Sequence, residues 1–362
     1  MRPVIHIITT LERGGAENQL QILVEAQKKS GRSVTVIPLK GKPELVESFR
    51  SFGVNVLTTW MNMGTVQQIL GIRKSLRNHQ VVVHAHLPRS EMLAAFAVKR
   101  ENLIVSRHNA EAFYPGAPQW LSIVLSRFVT HGSTKVIAIT GAVKEFLIAS
   151  GEVRANKEIN VVEYGFPANE FVNIFDAQQT LKAKLGIKNS EIVVGTIGRL
   201  VHQKDYPTLI KGFAEFLSLG FEGKLLVLGE GPLRKDLEKL STGLGVGDRI
   251  IWVGKQDNVF SYLALMDVFV LASKYEGFGL VLLEAMSVGL PIVAARNLAV
   301  EQVLGANYPW LFEIASVREL AIQIDSILNE NNRAASIYHG SQRLAYFSVS
   351  RMLGKMDNLY KY

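Results

Sequence analysis

Cysteine is missing from all 362 residues, which excludes disulfides and thiolate metal sites and fits a cytoplasmic chain. No apolar run approaches the ~20 residues of a membrane-spanning helix. The opening Pro3-Val-Ile-His-Ile-Ile8 is too short, and too soon followed by Glu12 and Arg13, for a signal peptide, so it reads as a first buried strand. Aspartate is absent from residues 1–165, where 20 Lys+Arg face 12 Glu; the remainder holds 40 − 20 = 20 basic and 32 − 12 = 20 acidic residues. The +8 excess therefore lies entirely in the first half. A domain so charged is either simply basic and soluble or drawn to an anionic surface, such as membrane lipid, a lipid-phosphate acceptor or nucleic acid. Nucleic acid is not an expected partner, because no binding motif and no basic stripe interleaved with aromatics occurs. Asp-x-Asp is also absent, and no His or carboxylate cluster has ligand spacing, so neither a metal nor a cofactor is expected.

What is present describes a globular protein, with 48% apolar and 20% charged residues. The length exceeds one ordinary core and implies two domains. Short apolar strand candidates alternate with helical stretches: Val4 to Thr9, Val34 to Pro38, Val54 to Leu57, Val81 to His84, Leu103 to Ser106 and Val136 to Ile139. After Val161-Val162 the chain passes through Gly165-Phe-Pro167 into a polar stretch ending near Ser190, the best domain boundary. Strand candidates resume at Ile192 to Ile197, Leu225 to Leu228, Ile250 to Val253, Val268 to Leu271 and Ile292 to Ala294. The alternation predicts an α/β fold of two doubly wound, Rossmann-like domains facing across a cleft.

Glu276-Gly-Phe-Gly-Leu-Val-Leu-Leu-Glu284 runs out of the apolar strand Asp267-Val-Phe-Val-Leu271. Gly277 and Gly279 allow close backbone approach to a ligand, and Leu280 through Met286, closed by Gly289-Leu290-Pro291, predict a buried helix. The amides at its start carry roughly half a positive charge and suit a phosphate. Glu276 and Glu284 accept hydrogen bonds and would repel that phosphate, so their targets are hydroxyls, one set on a sugar and one on a ribose. For either glutamate alone, a capped helix with a solvent-facing acid is the plainer account. Three further features fall at equivalent strand ends, namely Gly14-Gly15-Ala-Glu17, Ser106-Arg107-His108-Asn109, and Gly198-Arg199-Leu200 with Lys204. Open α/β sheets bind ligands at those ends, which favours one functional reading over four structural ones.

In this order Gly14-Gly15-Ala-Glu17, Gly198-Arg-Leu…Lys204-Asp205, Gly229-Glu-Gly-Pro232 and Glu276-Gly-Phe-Gly…Leu-Glu284-Ala-Met286, the chain resembles the family 4 retaining glycosyltransferases of the GT-B fold, bacterial members among them. The resemblance covers essentially the whole chain, including Phe347-Ser…Arg351-Met…Leu359-Tyr360, similar to a family helix that crosses back to the first domain. It implies an acceptor-side domain over 1–167, a nucleotide-sugar domain over 168–345 and the crossing helix over 346–362. Arg199 and Lys204 would hold the donor diphosphate, beside Gly198. The amides of Gly277, Phe278, Gly279 and Leu280 would meet the distal phosphate and sugar, with Glu276 on sugar hydroxyls and Glu284 on the ribose. Lys255 and Gln256 lie where members contact the base, and Gly15 would give an amide to the diphosphate or leave room for the acceptor. His108 resembles the histidine over the donor sugar, with His84 and His86 as competitors at another strand end, while Glu17 is equally a first-turn acid.

The activity implied is transfer of a hexose or N-acetylhexosamine from a nucleoside diphosphate sugar to a glycan or lipid-linked acceptor, without a metal. Rival readings are an epimerase on the same plan and an inactive transferase-like binding protein. Glu163-Tyr-Gly-Phe166 stands where Asn-Gly-Val is common, and Ala295-Arg-Asn297 puts an extra cation near the site. Residues 118–129 and 67–77 both read as basic amphipathic helices, consistent either with ordinary domain helices or with peripheral association at the inner face of an anionic membrane.

Overall fold

The computed structural model describes residues 1–76, 80–167 and 178–361. Arg77, the end of one expected basic helix, and the expected boundary stretch over 168–177 lie outside these residues. The chain divides into two compact units, Met1–Pro167 with Phe347–Tyr362, and Ala168–Tyr346.

The first unit holds β1 (Val4–Ile8), β2 (Val34–Pro38), β3 (Asn55–Val56), β4 (Val82–His86), β5 (Leu103–Arg107), β6 (Lys135–Ala138) and β7 (Ile159–Val161). They form one sheet in the order β3-β2-β1-β4-β5-β6-β7, each pair parallel. The second unit holds β8 (Ile192–Ile197), β9 (Gly223–Leu228), β10 (Ile250–Gly254), β11 (Val268–Leu271), β12 (Ile292–Ala295) and β13 (Leu311–Phe312). Its order is β10-β9-β8-β11-β12-β13, again parallel throughout. This is the doubly wound α/β architecture expected. Strands covered on both faces need continuous apolar runs, and every residue of β1 and β11 is buried.

Two strands escaped the sequence reading. β7 is a three-residue Ile-Asn-Val interrupted by Asn160, and β13 has two residues, too few for any periodicity to register. β4 and β5 also run two and one residues further than expected, to His86 and Arg107, because those polar side chains find partners inside the unit.

The strand order reverses between β1 and β4 in one sheet and between β8 and β11 in the other, and such a switch point opens a crevice at the carboxyl ends of the strands. The Val349–Leu359 helix closes the first unit. Met352, Met356 and Leu359 recur at helical spacing and pack with Tyr360 on Val4, Leu23, Val82, Ile104, Ile137 and Val162. Lys355 of the same helix pairs with Glu163, and Phe166 N–H donates to the Phe347 carbonyl at 2.7 Å.

Candidate active site

At the β8/β11 switch point the loops following the two strands are knitted residue to residue. Lys274 N–H donates to the Gln203 carbonyl at 2.9 Å, and Gln203 Nε2 donates to the Tyr275 carbonyl at 2.9 Å. Lys204 Nζ meets Glu276 Oε1 at 2.5 Å, and Lys274 Nζ lies 3.8 Å from Asp205 Oδ1. Asp205 holds a left-handed φ of 46° that turns the chain into the Tyr206–Ser218 helix, and Tyr206 Oη bonds back to the Gly198 carbonyl at 2.8 Å. Burial first, then Glu276, pushes the Tyr206 phenol up, so it stays a donor. Gly229 belongs to the same frame: with φ +134°, an added Cβ would stand 1.9 Å from the Gly198 carbonyl oxygen, so only glycine lets the β8 and β9 loops touch.

Beyond Glu276 the buried Gly277, Phe278 and Gly279 lead into the Leu280–Ser287 helix. Gly279 is its N-cap at φ +88°, a conformation unstrained only for glycine, and no side chain caps the helix. Glu284 sits in the second turn, half-buried, and its carboxylate meets no hydrogen-bond or ion-pair partner among the described residues. Burial alone lifts it to about 7. A half-buried carboxylate without a partner among the described residues, on a helix that no side chain caps, suits hydroxyl donors. Arg199 is exposed beside Gly198 with no side-chain partner among the described residues. Lys255 N–H approaches Glu230 Oε1 at 3.5 Å, while Gln256 donates to the Val253 carbonyl and accepts from Tyr262 Oη. Gly198, Lys204, Glu276 and the Gly277–Gly279 turn are thus brought together.

Arg296 is a correction. The sequence offers it as an extra cation near the site, yet its guanidinium pairs with Glu301 at 2.8 Å and Glu313 at 2.9 Å and brings no net positive charge there.

In the first unit the β1/β4 switch point carries a feature the sequence showed only in part. His6 pairs with His84 across the sheet, and His86 lies beside Ser106. Alternation along parallel strands therefore puts His6, His84, His86, Ser106 and His108 on one face. Gln27 Oε1 bonds His6 Nε2 at 2.9 Å, His6 Nδ1 bonds His86 Nε2 at 3.0 Å, His86 Nδ1 bonds His108 Nε2 at 3.2 Å, and His108 Nδ1 bonds Tyr164 Oη at 2.5 Å. His84 bridges Tyr360 Oη and Ser106 Oγ. With the amide oxygen of Gln27 facing His6, one proton order satisfies the chain: Tyr164 donates to His108, His108 to His86, His86 to His6, and His6 to Gln27. All four rings are neutral. Burial drives His6 and His108 down to about 4 and His84 and His86 well below their usual value.

His6, His84 and His86 bring ligand nitrogens within 4.8 Å of one another, a metal-capable cluster that linear spacing could not reveal because His6 lies far from the other two in the chain. All six of those nitrogens already have protein partners. His108 has both nitrogens engaged as well, so its ring reaches a ligand only by exchanging the Tyr164 or the His86 bond. Tyr164, noted in the sequence only as a departure from Asn, is the residue that braces it.

Arg107, immediately before His108, is buried between Glu91 at 2.8 Å and Glu152 at 3.4 Å, and it anchors the end of β5. At the β1 end Gly15 is the exposed first residue of the Gly15–Lys29 helix. Glu17 is buried and accepts from Thr10 Oγ1 at 2.6 Å, a first-turn acid as the plainer reading had it.

Comparison with known proteins defines the class. A model described as Glycosyl transferases group 1 matches residues 177–343, and one described as Glycosyltransferase Family 4 matches 13–168. Solved structures share the GT-B fold: Anabaena HepE in complex with UDP-glucose superposes with a TM-score of 0.83 at 21% identity over 100% of both chains. Among curated relatives, N-acetyl-alpha-D-glucosaminyl L-malate synthase of Bacillus anthracis is 26% identical over 78% of this chain and 75% of its own. A UDP-Gal:alpha-D-GlcNAc-diphosphoundecaprenol alpha-1,3-galactosyltransferase of Escherichia coli is 24% identical over 87% of this chain and 84% of its own. The chain belongs to glycosyltransferase family 4 and is a glycosyltransferase.

Proposed function

We propose that the chain moves a hexose or N-acetylhexosamine from a nucleoside diphosphate sugar to a glycan or lipid-linked acceptor in cell-surface polysaccharide synthesis, with retention and without a metal. The observation that carries this reading is the Lys204–Glu276 ion pair at the lip of the Gly277–Gly279 turn. An arriving diphosphate competes with Glu276 for Lys204 and adds Arg199 and the amides of Gly279 and Leu280. Glu276, released from its cation, then accepts from sugar hydroxyls while Glu284 accepts from the ribose. The acceptor oxygen bonds to the anomeric carbon on the face from which the phosphate departs. The carbon–oxygen bond to phosphate breaks, its electron pair stays on the phosphate, and that oxygen takes the acceptor proton. Charge growing on the leaving group meets donors already in place. Lys255 and Gln256 keep the base contact, and His108 and Gly15 the roles, that the family resemblance implies.

The relatives support the substrate class, being named as sugar transferases, one of them acting from UDP-Gal onto a lipid-linked diphosphate acceptor. A thermal-shift panel of UDP-, GDP- and ADP-sugars tests the reading. One donor is expected to raise Tm, and at a hundred times its Kd the stabilisation is ~2.7 kcal/mol. That shift should survive a chelator. No response to any nucleotide sugar would overturn the proposal, and hydrolysis of the bound donor separates an enzyme from an inactive binding protein.

We further propose that the protein works at the inner face of the cell membrane. No helix among the described residues is long and apolar enough to cross a membrane. The support is the Gln119–His131 helix, which exposes Trp120, Val124 and Phe128 beside basic residues in the cationic unit. Flotation with anionic vesicles at low salt tests it, and absence of binding there removes it.

A further inference from the structure

The first unit contains a cavity of about 180 Å³ whose lining, among the described residues, includes Arg100, Arg127, His131, Arg154, Asn156 and Lys157 and no carboxylate. Arg100 precedes β5, Arg127 and His131 end the helix before β6, and Arg154 and Lys157 precede β7. The cavity is therefore at the amino ends of these strands, on the edge opposite His86 and His108. It is no part of the candidate active site.

Its cations are held apart from acids. Lys157 Nζ donates to the carbonyls of Ser133 at 2.5 Å and Thr134 at 3.2 Å, and Arg127 Nε donates to the Gly151 carbonyl at 2.7 Å. Burial, and then the Arg100 charge, push the Lys157 amine down. The side chains of Arg100 and Arg154 have no hydrogen-bond or ion-pair partner among the described residues. Two exposed guanidiniums free of acidic partners among the described residues, beside a lysine whose charge is already disfavoured, make a cationic cavity that suits an oxyanion.

The approach to the cavity shows which oxyanion. Trp120, Val124 and Phe128 are 66%, 55% and 43% exposed, and they recur every fourth residue, so they share a helix face with Arg127 and His131. Phe96, itself 50% exposed, packs its ring on Phe128 with centroids 4.9 Å apart, and Arg73 Nη2 bonds the Phe96 carbonyl at 2.8 Å. An apolar ridge about 12 Å long thus runs directly into the cationic cavity. A dissolved anion gains nothing from that ridge, whereas a phospholipid places apolar and anionic parts side by side at the interface.

We propose that this cavity binds the headgroup phosphate of an anionic phospholipid while the Trp120–Phe128 ridge sits at the membrane interface. This rests on the membrane reading above and gives it a defined contact point.

The test is co-sedimentation at low salt with mixed phosphatidylcholine–phosphatidylglycerol vesicles and with pure phosphatidylcholine. Four forms are compared: the intact protein, an Arg100→Ser/Arg154→Ser double variant, Trp120→Ser, and a Lys28→Ser/Lys144→Ser control with the same net charge as the double variant. The cavity variant should lose about thirty-fold in binding to the anionic vesicles and keep its residual phosphatidylcholine binding and its Tm. Trp120→Ser should weaken both kinds of binding, and the control should change only a few-fold. Equal losses in cavity variant and control would leave diffuse attraction and sink the cavity alone. Unchanged binding of the cavity variant does the same, whereas no binding by the intact protein removes the membrane reading with it. Release from vesicles by inorganic phosphate at matched ionic strength would reassign the cavity to free phosphate and overturn the lipid assignment.

Discussion

Glu284 is a half-buried carboxyl lifted by burial to about 7, with no side-chain partner among the described residues, and hydroxyl donors bind only its ionised form well. Donor affinity should therefore strengthen as pH rises from 6 to 8, by up to ~10-fold per unit below the pKa. Glu284→Gln should bind weakly and flatly across that range. Calorimetric titration of the donor decides this, and an unchanged pH profile in the variant would remove Glu284 from the ribose contact. Lys204→Ala should also cost ~10-fold or more in kcat/KM for the donor, since the loss of ~1.4 kcal/mol is modest for a charged contact to phosphate. It leaves Glu276 buried and unpaired. Glu17→Ala should spare donor KM and act on stability or acceptor use, because its carboxylate is spent on Thr10. Tyr164→Phe removes the hydroxyl that terminates the histidine chain, and His108 Nδ1 then has nothing to accept from. A drop in kcat with donor KM unchanged is expected, and steady-state kinetics separate it from a loss of binding.

At the scale of elements, the β11–turn–helix unit was legible in advance. An apolar strand, two glycines and a Gly-Pro stop are local signals, and they placed Glu276 and Glu284 correctly on either side of a helix start. The histidine chain was not legible, because His6, Gln27, Tyr164 and Tyr360 join it through strand register and helix packing, which no local window contains. In the sequence His84 and His86 stand only as rivals of His108, whereas in the fold His86 bonds it directly. The Lys204–Glu276 pairing is hidden for the same reason: the sequence presents the two residues as separate ligand contacts, while the fold makes each the other's partner.

Two element-scale variants test the frame. Gly279→Ala forces a side chain into a left-handed φ and should cost ~1–2 kcal/mol of stability together with donor affinity, read as a lower Tm and a smaller donor-induced shift. A chain ending at Tyr346 strips five buried side chains from the first unit, Phe347, Met352, Met356, Leu359 and Tyr360. At ~1.5–3 kcal/mol each, the loss is comparable with the ~5–15 kcal/mol that holds a whole domain. Limited proteolysis should then cut within residues 1–167 first, and intact resistance there would show the helix to be dispensable.

Across the whole molecule, the two units differ in their balance of buried titratable groups. The first holds four neutral imidazoles with depressed native values, and the second holds Glu284 with a raised one. Below ~6.5 the unfolded chain takes up protons that the native imidazoles refuse, down to about 4 for His6 and His108, while burial holds His84 and His86 well below their usual value, so each ring subtracts up to ~1.4 kcal/mol per pH unit as the solution is acidified. A raised carboxyl works the other way. Between ~4.5 and 7 the native Glu284 keeps a proton that the unfolded chain releases, so acidification through that window favours the second unit. Raised Glu91, and to a lesser degree Glu17 and Glu152, offset part of the histidine effect in the first unit without matching four rings. Lowering the pH from 7 to 5 should therefore loosen the first unit selectively. Hydrogen exchange corrected for intrinsic rates should show protection falling across β1, β4 and β5 while β8 and β11 hold. In His6→Gln the slope of that loss should flatten by about one proton's worth, because one of the refusing rings is gone. Equal loss of protection in both units, or earlier loss in the second, would mean that the imidazoles are not held neutral at the β1/β4 switch point and that the one-way order from Tyr164 to Gln27 does not exist.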